Sequence, residues 1–199
     1  MSGPTIADYD PAWAAAASDQ LDAISAALAG LPEAAVFRFD HIGSTSVPGL
    51  AAKPILDLMV RMPRIPSEDA TAGALAPLGL RRARGSRPDS PGVDSDIPRP
   101  RTDQDPALYV KQLFHRPAQT RSPEVVLHIR RLDSPFAEFV IEFRDWLRAD
   151  SGAAARYAAV KRALALEYAD AADYDDYTRA KTIFMDEAQA EIERRRTRR

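Results

Sequence analysis

The sequence predicts an α+β fold, in which four strands are enclosed by helices and a three-helix tail follows. Three observations predict it. The runs 35–42, 54–62, 107–115 and 124–131 are short, apolar and bounded by turn residues, as strands are. Apolar residues three and four apart mark an amphipathic helix near the start of the chain. Beyond residue 134 the same spacing recurs almost without interruption. At 199 residues the expected organisation is one domain, 1–199, with a helical C-terminal part over about 134–199.

Each element has its own reason. Trp13, Ala17, Leu21, Ile24 and Leu28 give one apolar face, so 11–29 reads as a helix that Gly30 and Pro32 end. The second strand, 54–62, is almost continuously apolar, as a strand covered on both faces is. Pro66-Ser67-Glu68-Asp69 opens a helix with acids in its first turn, where they favour the macrodipole, and Gly79 stops it after Leu78. Residues 81–106 are rich in Pro, Gly, Arg and Asp and have little periodicity, so they read as a long loop. Ser134-Pro135 is a helix cap with proline at the first helical position. Phe136, Phe139, Phe143 and Trp146-Leu147 form one stripe, and Tyr157, Val160, Leu164 and Tyr168 another. A last helix is expected over 174–195, through Tyr177, Ala180 and Phe184.

Composition narrows the function. A formal net charge of −2 gives no global attraction to nucleic acid. There is no cysteine, which excludes disulfides and thiolate metal sites. No apolar run approaches the ~18 residues of a membrane span, and the first 30 residues lack a basic leader. A cytoplasmic protein with no membrane partner is the expectation. The run Arg194-Arg195-Arg196-Thr197-Arg198-Arg199 reads as favourable charge at a helix C-terminus that frays, since no aromatic residues are interleaved with it.

The chemistry concentrates in Asp40-His41-Ile42-Gly43-Ser44-Thr45-Ser46-Val47-Pro48-Gly49 and the strand that follows. Glycine permits close backbone approach, and serine and threonine offer hydroxyls. Ser44 reads either as a helix cap or as a phosphate ligand. Asp57 stands alone among apolar neighbours, where an unpaired carboxylate is costly. It reads either as an ion pair with Lys53 or an arginine, or as a Mg²⁺ ligand. His128 lies between Leu127 and Ile129, facing away from both, and His41 has a similar setting before Gly43. Each reads as a structural group or as one that converges on Asp57 and the Gly-Ser turn at one sheet edge. Arg144 and Arg148 share a helix face. With Lys53, Lys161 and Lys181 they are either solvated charges or partners for an anionic ligand.

The segment His41 to Asp57 resembles the signature of the GrpB family, also called UPF0157. The likeness extends to Tyr9-Asp10-Pro11-Ala12-Trp13, Leu127-His128-Ile129 and Phe143 to Arg148. It continues through Ala154–Leu166 around Lys161 and Tyr177–Phe184 around Lys181, and leaves 81–106 unmatched. The resemblance implies a nucleotidyltransferase-like fold: a small mixed sheet with helices packed on one side, and a C-terminal helical segment. In that superfamily Gly-Ser ends a strand, an Asp-x-Asp/Glu pair follows on the next, and a third acid lies on a later strand. The paired acids hold two Mg²⁺. Here Gly43, Ser44 and Asp57 are kept, Met59 stands for the second acid, and His128 stands on the later strand.

The implied activity is Mg²⁺-dependent transfer of a nucleoside monophosphate from an NTP to a small-molecule acceptor. Asp57 would be the metal ligand and, with His128 and His41, catalytic. Gly43, Ser44, Thr45, Lys53, Arg144, Arg148, Lys161 and Lys181 would bind the nucleotide. The alternative is a non-catalytic nucleotide- or phosphate-binding module that acts through a protein partner. Some relatives of this domain are joined to a dephospho-coenzyme A kinase, but no P-loop segment occurs in this chain.

Overall fold

The computed structural model describes residues 5–85, 90, 92–99, 102, 105–120, 122–171 and 175–196. In chain order its elements are α1 (Ala12–Leu28), β1 (Arg38–Ile42), β2 (Ile55–Met62), α2 (Glu68–Leu75), β3 (Arg81–Arg82) and β4 (Lys111–Arg116). They continue as β5 (Glu124–Arg131), α3 (Pro135–Ala149), α4 (Ser151–Glu167), α5 (Asp175–Ala180) and α6 (Thr182–Arg196). The architecture is the expected α+β, with a mixed five-stranded sheet in the order β1-β2-β5-β4-β3. Among the described residues only β2 and β5 pair in parallel; the other strand pairs are antiparallel.

Four differences from the sequence reading have local causes. β1 begins at Arg38, because Glu33 takes a left-handed conformation and Ala34–Val36 close a 3-10 turn. The described part of 81–106 is not all loop: Arg81 and Arg82 pair with β4 as a short edge strand, and Ser95 bridges Val110. β4 starts at Lys111, after a 3-10 turn at Pro106–Leu108 capped by Asp105. The last helix is interrupted at Lys181, which lies between α5 and α6; Tyr174 lies outside the described residues, as do residues 197–199 of the terminal basic run.

Helices cover both faces of the sheet, rather than one. On one face Leu56, Leu58, Val60 and Met62 of β2 join Val125, Leu127 and Ile129 of β5 against α1 and Leu75 of α2. On the other, Ile42 and Met59 pack on Ala137 of α3. The helical part has its own core of Phe139, Phe143, Trp146, Tyr157 and Ile192, which also takes up Val47 and Leu50 from the turn after β1. The four alternate β2 side chains are fully buried, each contributing roughly 1.5–3 kcal/mol. A one-residue slip would move all of them to the α3 face and turn Asp57 and Arg61 into the apolar core, so the pattern fixes the register. The same register sends Asp57 to the α3 face. No helix among the described residues is long and apolar enough to cross a membrane.

Candidate functional site

Asp57 is the centre of the α3 face. Its strand neighbours there follow from register: Ile42 opposite it on β1, Met59 two residues along β2, and His128 opposite Met59 on β5. Gly43 follows Ile42 at φ +69°, a conformation that favours glycine. A β-carbon at Gly43 would stand 2.8 Å from Asp57 Cβ and 2.9 Å from its Cγ. The glycine thus makes room for the acid itself. Asp57 keeps 37% of its side chain open to solvent, so it remains accessible to a ligand.

Three cationic or polar groups surround that carboxylate. His128 Nε2 lies 3.6 Å from Asp57 Oδ1. Lys53 and Lys181 stand over the Tyr177 ring, at 5.0 and 4.5 Å from its centroid. Burial would raise the Asp57 pKa, but His128, Lys181 and Lys53 outweigh it and hold the acid below its usual range. Burial lowers Lys181 to about 8, with further lowering by Lys53, while Asp57 opposes both. Lys53 is lowered as well, again first by burial. The break between α5 and α6 is what delivers Lys181 here.

Behind His128 lies a buried charge cluster that links the 92–99 segment to the sheet. Asp96 accepts from Arg130 Nε at 2.6 Å and Nη2 at 2.9 Å, and from Lys111 Nζ at 3.1 Å. All three residues are at most 5% exposed. Lys111 Nζ also lies 3.2 Å from His128 Nδ1. An ammonium has no acceptor, so His128 Nδ1 must accept and Nε2 carries the proton toward Asp57. Burial first, then Lys111 and Arg130, lower His128 to about 4. It is therefore a neutral ring whose Nε2–H points to Asp57 from 3.6 Å, so that neither ring nitrogen is placed to take a proton from an acceptor.

The turn after β1 is held mainly by its own protein contacts. Thr45, 1% exposed, donates its hydroxyl to the Ile55 carbonyl at 3.1 Å. Its one proton is then used, so His41 Nε2, 3.0 Å away, is the donor to Thr45. His41 pairs with Leu58, which places it on the opposite face from Asp57 and His128. Burial lowers it to about 4. From α3, Arg148 donates twice to the Ser46 carbonyl (3.0 and 2.8 Å) and Arg144 donates to the His41 carbonyl (3.0 Å). Arg144 also lies 3.7 Å from Asp40, whose main partner is Arg61 at 3.0 Å. Lys161, 3% exposed, donates to the Ala51 carbonyl (2.5 Å) and to Ser44 Oγ (2.9 Å), and lies 4.8 Å from the Tyr157 ring centroid. The structure thus gathers Gly43, Ser44, Lys53, Asp57, His128, Lys161 and Lys181. It uses Thr45, Arg144 and Arg148 as braces behind them.

The family profile described as GrpB protein matches residues 4–191 of this chain. The chain belongs to the GrpB family. A UPF0157 protein of Streptomyces coelicolor is 33% identical over 177 residues, which cover 89% of this chain and 77% of that protein. A dephospho-CoA kinase of Mycolicibacterium paratuberculosis is 33% identical over 184 residues, 90% of this chain. The match is only 43% of that kinase, so the chain spans less than half of its length. The crystal structure of the conserved protein GrpB from Enterococcus faecalis superposes with a TM-score of 0.63 at 21% identity, covering 93% of this chain and 99% of that one, and shows the fold.

Four residues of this GrpB-family site escaped the sequence reading: Asp96, Lys111, Arg130 and Tyr177. Lys111 and Arg130 gave a weaker signal than Asp57, since each has one apolar and one polar neighbour: Val110 and Gln112, Ile129 and Arg131. Asp96 had no signal, because it lies in an aperiodic segment. Tyr177 was visible as a helical aromatic, but not as the ring over which two lysines stand.

Proposed function

We propose that this GrpB-family chain is a nucleotidyltransferase-like enzyme that transfers a nucleoside monophosphate from an NTP to a small-molecule acceptor. The observation that carries the reading is an accessible carboxylate, Asp57, beside Lys53 and Lys181, which both stand over the Tyr177 ring. The two lysines suit the phosphates. Asp57, kept ionised by its neighbours, suits the acceptor hydroxyl or one hard cation. The kinase names of partly matching relatives agree with a nucleotide as ligand.

The metal requirement is smaller than in a two-metal centre. Met59 is fully buried and receives the Arg130 guanidinium at 3.4 Å on its sulfur, and a thioether is a poor ligand for Mg²⁺. Asp40 is engaged by Arg61 and Arg144. Among the described residues no group of three His, Asp or Glu side chains is placed to hold a metal. The donor set fits one Mg²⁺ with Asp57 as its protein carboxylate, the remaining oxygens coming from phosphate and water. When bound, Mg²⁺ would neutralise phosphate charge. His128 would orient Asp57 through its Nε2–H rather than act as a base.

Met59 also favours a second reading, a phosphate-binding module without turnover that works through a protein partner. Calorimetric titration with ATP, GTP, CTP and UTP, each with and without Mg²⁺, separates the readings. Micromolar, Mg²⁺-dependent binding of one NTP that Asp57→Asn abolishes, with the fold intact by circular dichroism, supports the enzyme. NTP binding that ignores both Mg²⁺ and Asp57→Asn supports the module. No binding of any NTP sinks the nucleotide assignment.

A further inference from the structure

Ser44 and Lys161 make a pair that nucleotide binding alone does not require. Ser44 is half-buried at the mouth of the turn, and Lys161 is almost wholly enclosed behind it. The amine nitrogen is fixed by three contacts: the Ala51 carbonyl at 2.5 Å, Ser44 Oγ at 2.9 Å and the Tyr157 ring at 4.8 Å. Neutral lysine has two N–H groups and one lone pair. It can therefore keep its bond to Ala51 while accepting the Ser44 proton, without moving.

We propose that Ser44 is a nucleophile and Lys161 its general base, so that transfer passes through a covalent phospho-serine ester. In this step Ser44 Oγ attacks the α-phosphorus of the NTP. The Oγ–P bond forms, the bond from that phosphorus to the bridging oxygen breaks, and pyrophosphate leaves as an anion beside Lys53 and Lys181. The hydroxyl proton goes to Lys161 Nζ. An acceptor hydroxyl then attacks the same phosphorus and gives its proton to water, the Oγ–P bond breaks, and Ser44 takes its proton back from Lys161. The NTP in this scheme rests on the function proposed above, whereas the serine–lysine pair does not. A nucleophile held by the protein also gives Ser44 a task that a second metal does in a two-metal centre, activation of the attacking oxygen.

The environment of Lys161 suits a base at neutral pH. The groups that face it are Lys181 from the α5–α6 junction, Arg162 and Tyr157 on its own helix, Ser44 from the turn and Asp57 from β2. Burial lowers its pKa to about 7, Lys181 and Arg162 push the same way, and Asp57 opposes them. Tyr157 is raised, by burial first, so its ring stands beside the Lys161 amine as a neutral phenol. Serine–lysine pairs of this kind recur on unrelated folds.

The test uses the whole chain and a small dialkyl fluorophosphate, followed by intact mass and peptide mapping. Attack by Ser44 forms the Oγ–P bond and expels fluoride, and no nucleotide is needed. Failure of NTP binding therefore leaves this result readable, and the reverse also holds. The expected result is one adduct on Ser44, absent in Ser44→Ala. In Lys161→Arg, which keeps a cation that does not titrate, labelling should slow about 10²-fold or more, the usual contribution of a general base. If Lys161→Arg does not fold, the wild-type pH profile decides, because labelling should rise and level off with a midpoint near 7. No adduct on Ser44, a wild-type rate in folded Lys161→Arg, or a rate still climbing at the ordinary lysine pKa of about 10.4 would overturn the proposal.

Discussion

Gly43 and Asp57 occupy one space: the backbone of the first is where the second's side chain lies, with no room for a β-carbon between them. The glycine also sits at φ +69°. Both features bear on Gly43→Ala. Left-handed backbone costs an L-residue roughly 1–2 kcal/mol, and overpacking adds about 1–3 kcal/mol. The variant should lose about 2 kcal/mol or more in urea denaturation and should lose Mg²⁺-dependent NTP binding, since Asp57 must turn away. Wild-type stability with wild-type binding would show that the contact is unimportant.

The Asp96 cluster predicts a larger loss. Asp96→Asn removes the charge that Arg130 and Lys111 share, and these are 2% and 3% exposed. Breaking a buried ion pair typically costs 3–5 kcal/mol. The loss should appear as a lower denaturation midpoint. Replacing all three residues by apolar ones should recover part of it, because buried charge networks often stabilise no better than well-packed hydrophobic groups. A single variant at wild-type stability would mean that the cluster is reached by water.

Much of this site was legible in the sequence, and the limits are physical. Asp57 was visible because a lone acid in an apolar strand demands a partner, and Gly43-Ser44 because a strand ended there. The role of Gly43 was not, since nothing in a sequence says whether a glycine clears space for a ligand or for another side chain. His41 and His128 look alike in sequence, yet register sends them to opposite faces. Asp96 and the helix break at Lys181 depend on long-range packing of an aperiodic segment and of the chain's last helices. Neither has a local period to betray it.

Met59→Asp tests how the site lost its second acid. In a two-metal centre that had merely decayed, restoring the carboxylate should raise Mg²⁺ affinity. Here the new acid would arise beside Arg130, which already reaches the Met59 sulfur at 3.4 Å. It should pair with that guanidinium and leave Mg²⁺ affinity unchanged within about twofold, as read by calorimetry in the presence of nucleotide. The buried side chain would also lose its packing against Ile42 and Ala137, and replacing a buried methionine by a smaller residue commonly costs about 2–5 kcal/mol. A clear rise in Mg²⁺ affinity would instead reveal a second metal position.

Acid sensitivity should begin above the carboxylate range. His41 and His128 are lowered to about 4 in the folded chain, first by burial, against about 6.5 when unfolded. Between those values the unfolded chain binds more protons than the folded one, so stability rises with pH. The contribution is complete above about 6.5 and is lost as pH falls toward 4. One pKa unit corresponds to about 1.4 kcal/mol, so His128, mostly buried, accounts for a loss on the order of 2–3 kcal/mol. Asp57 and Asp96 are lowered too, but their share is lost only below about 3.9, the unfolded aspartate value. Urea midpoints at pH 7, 5.5 and 4 should therefore fall steadily for the wild type. His128→Gln should flatten that fall by about half, leaving the His41 part. An unchanged slope in His128→Gln would mean that His128 titrates alike in the folded and unfolded chains, and so is not held as a neutral ring beside Asp57.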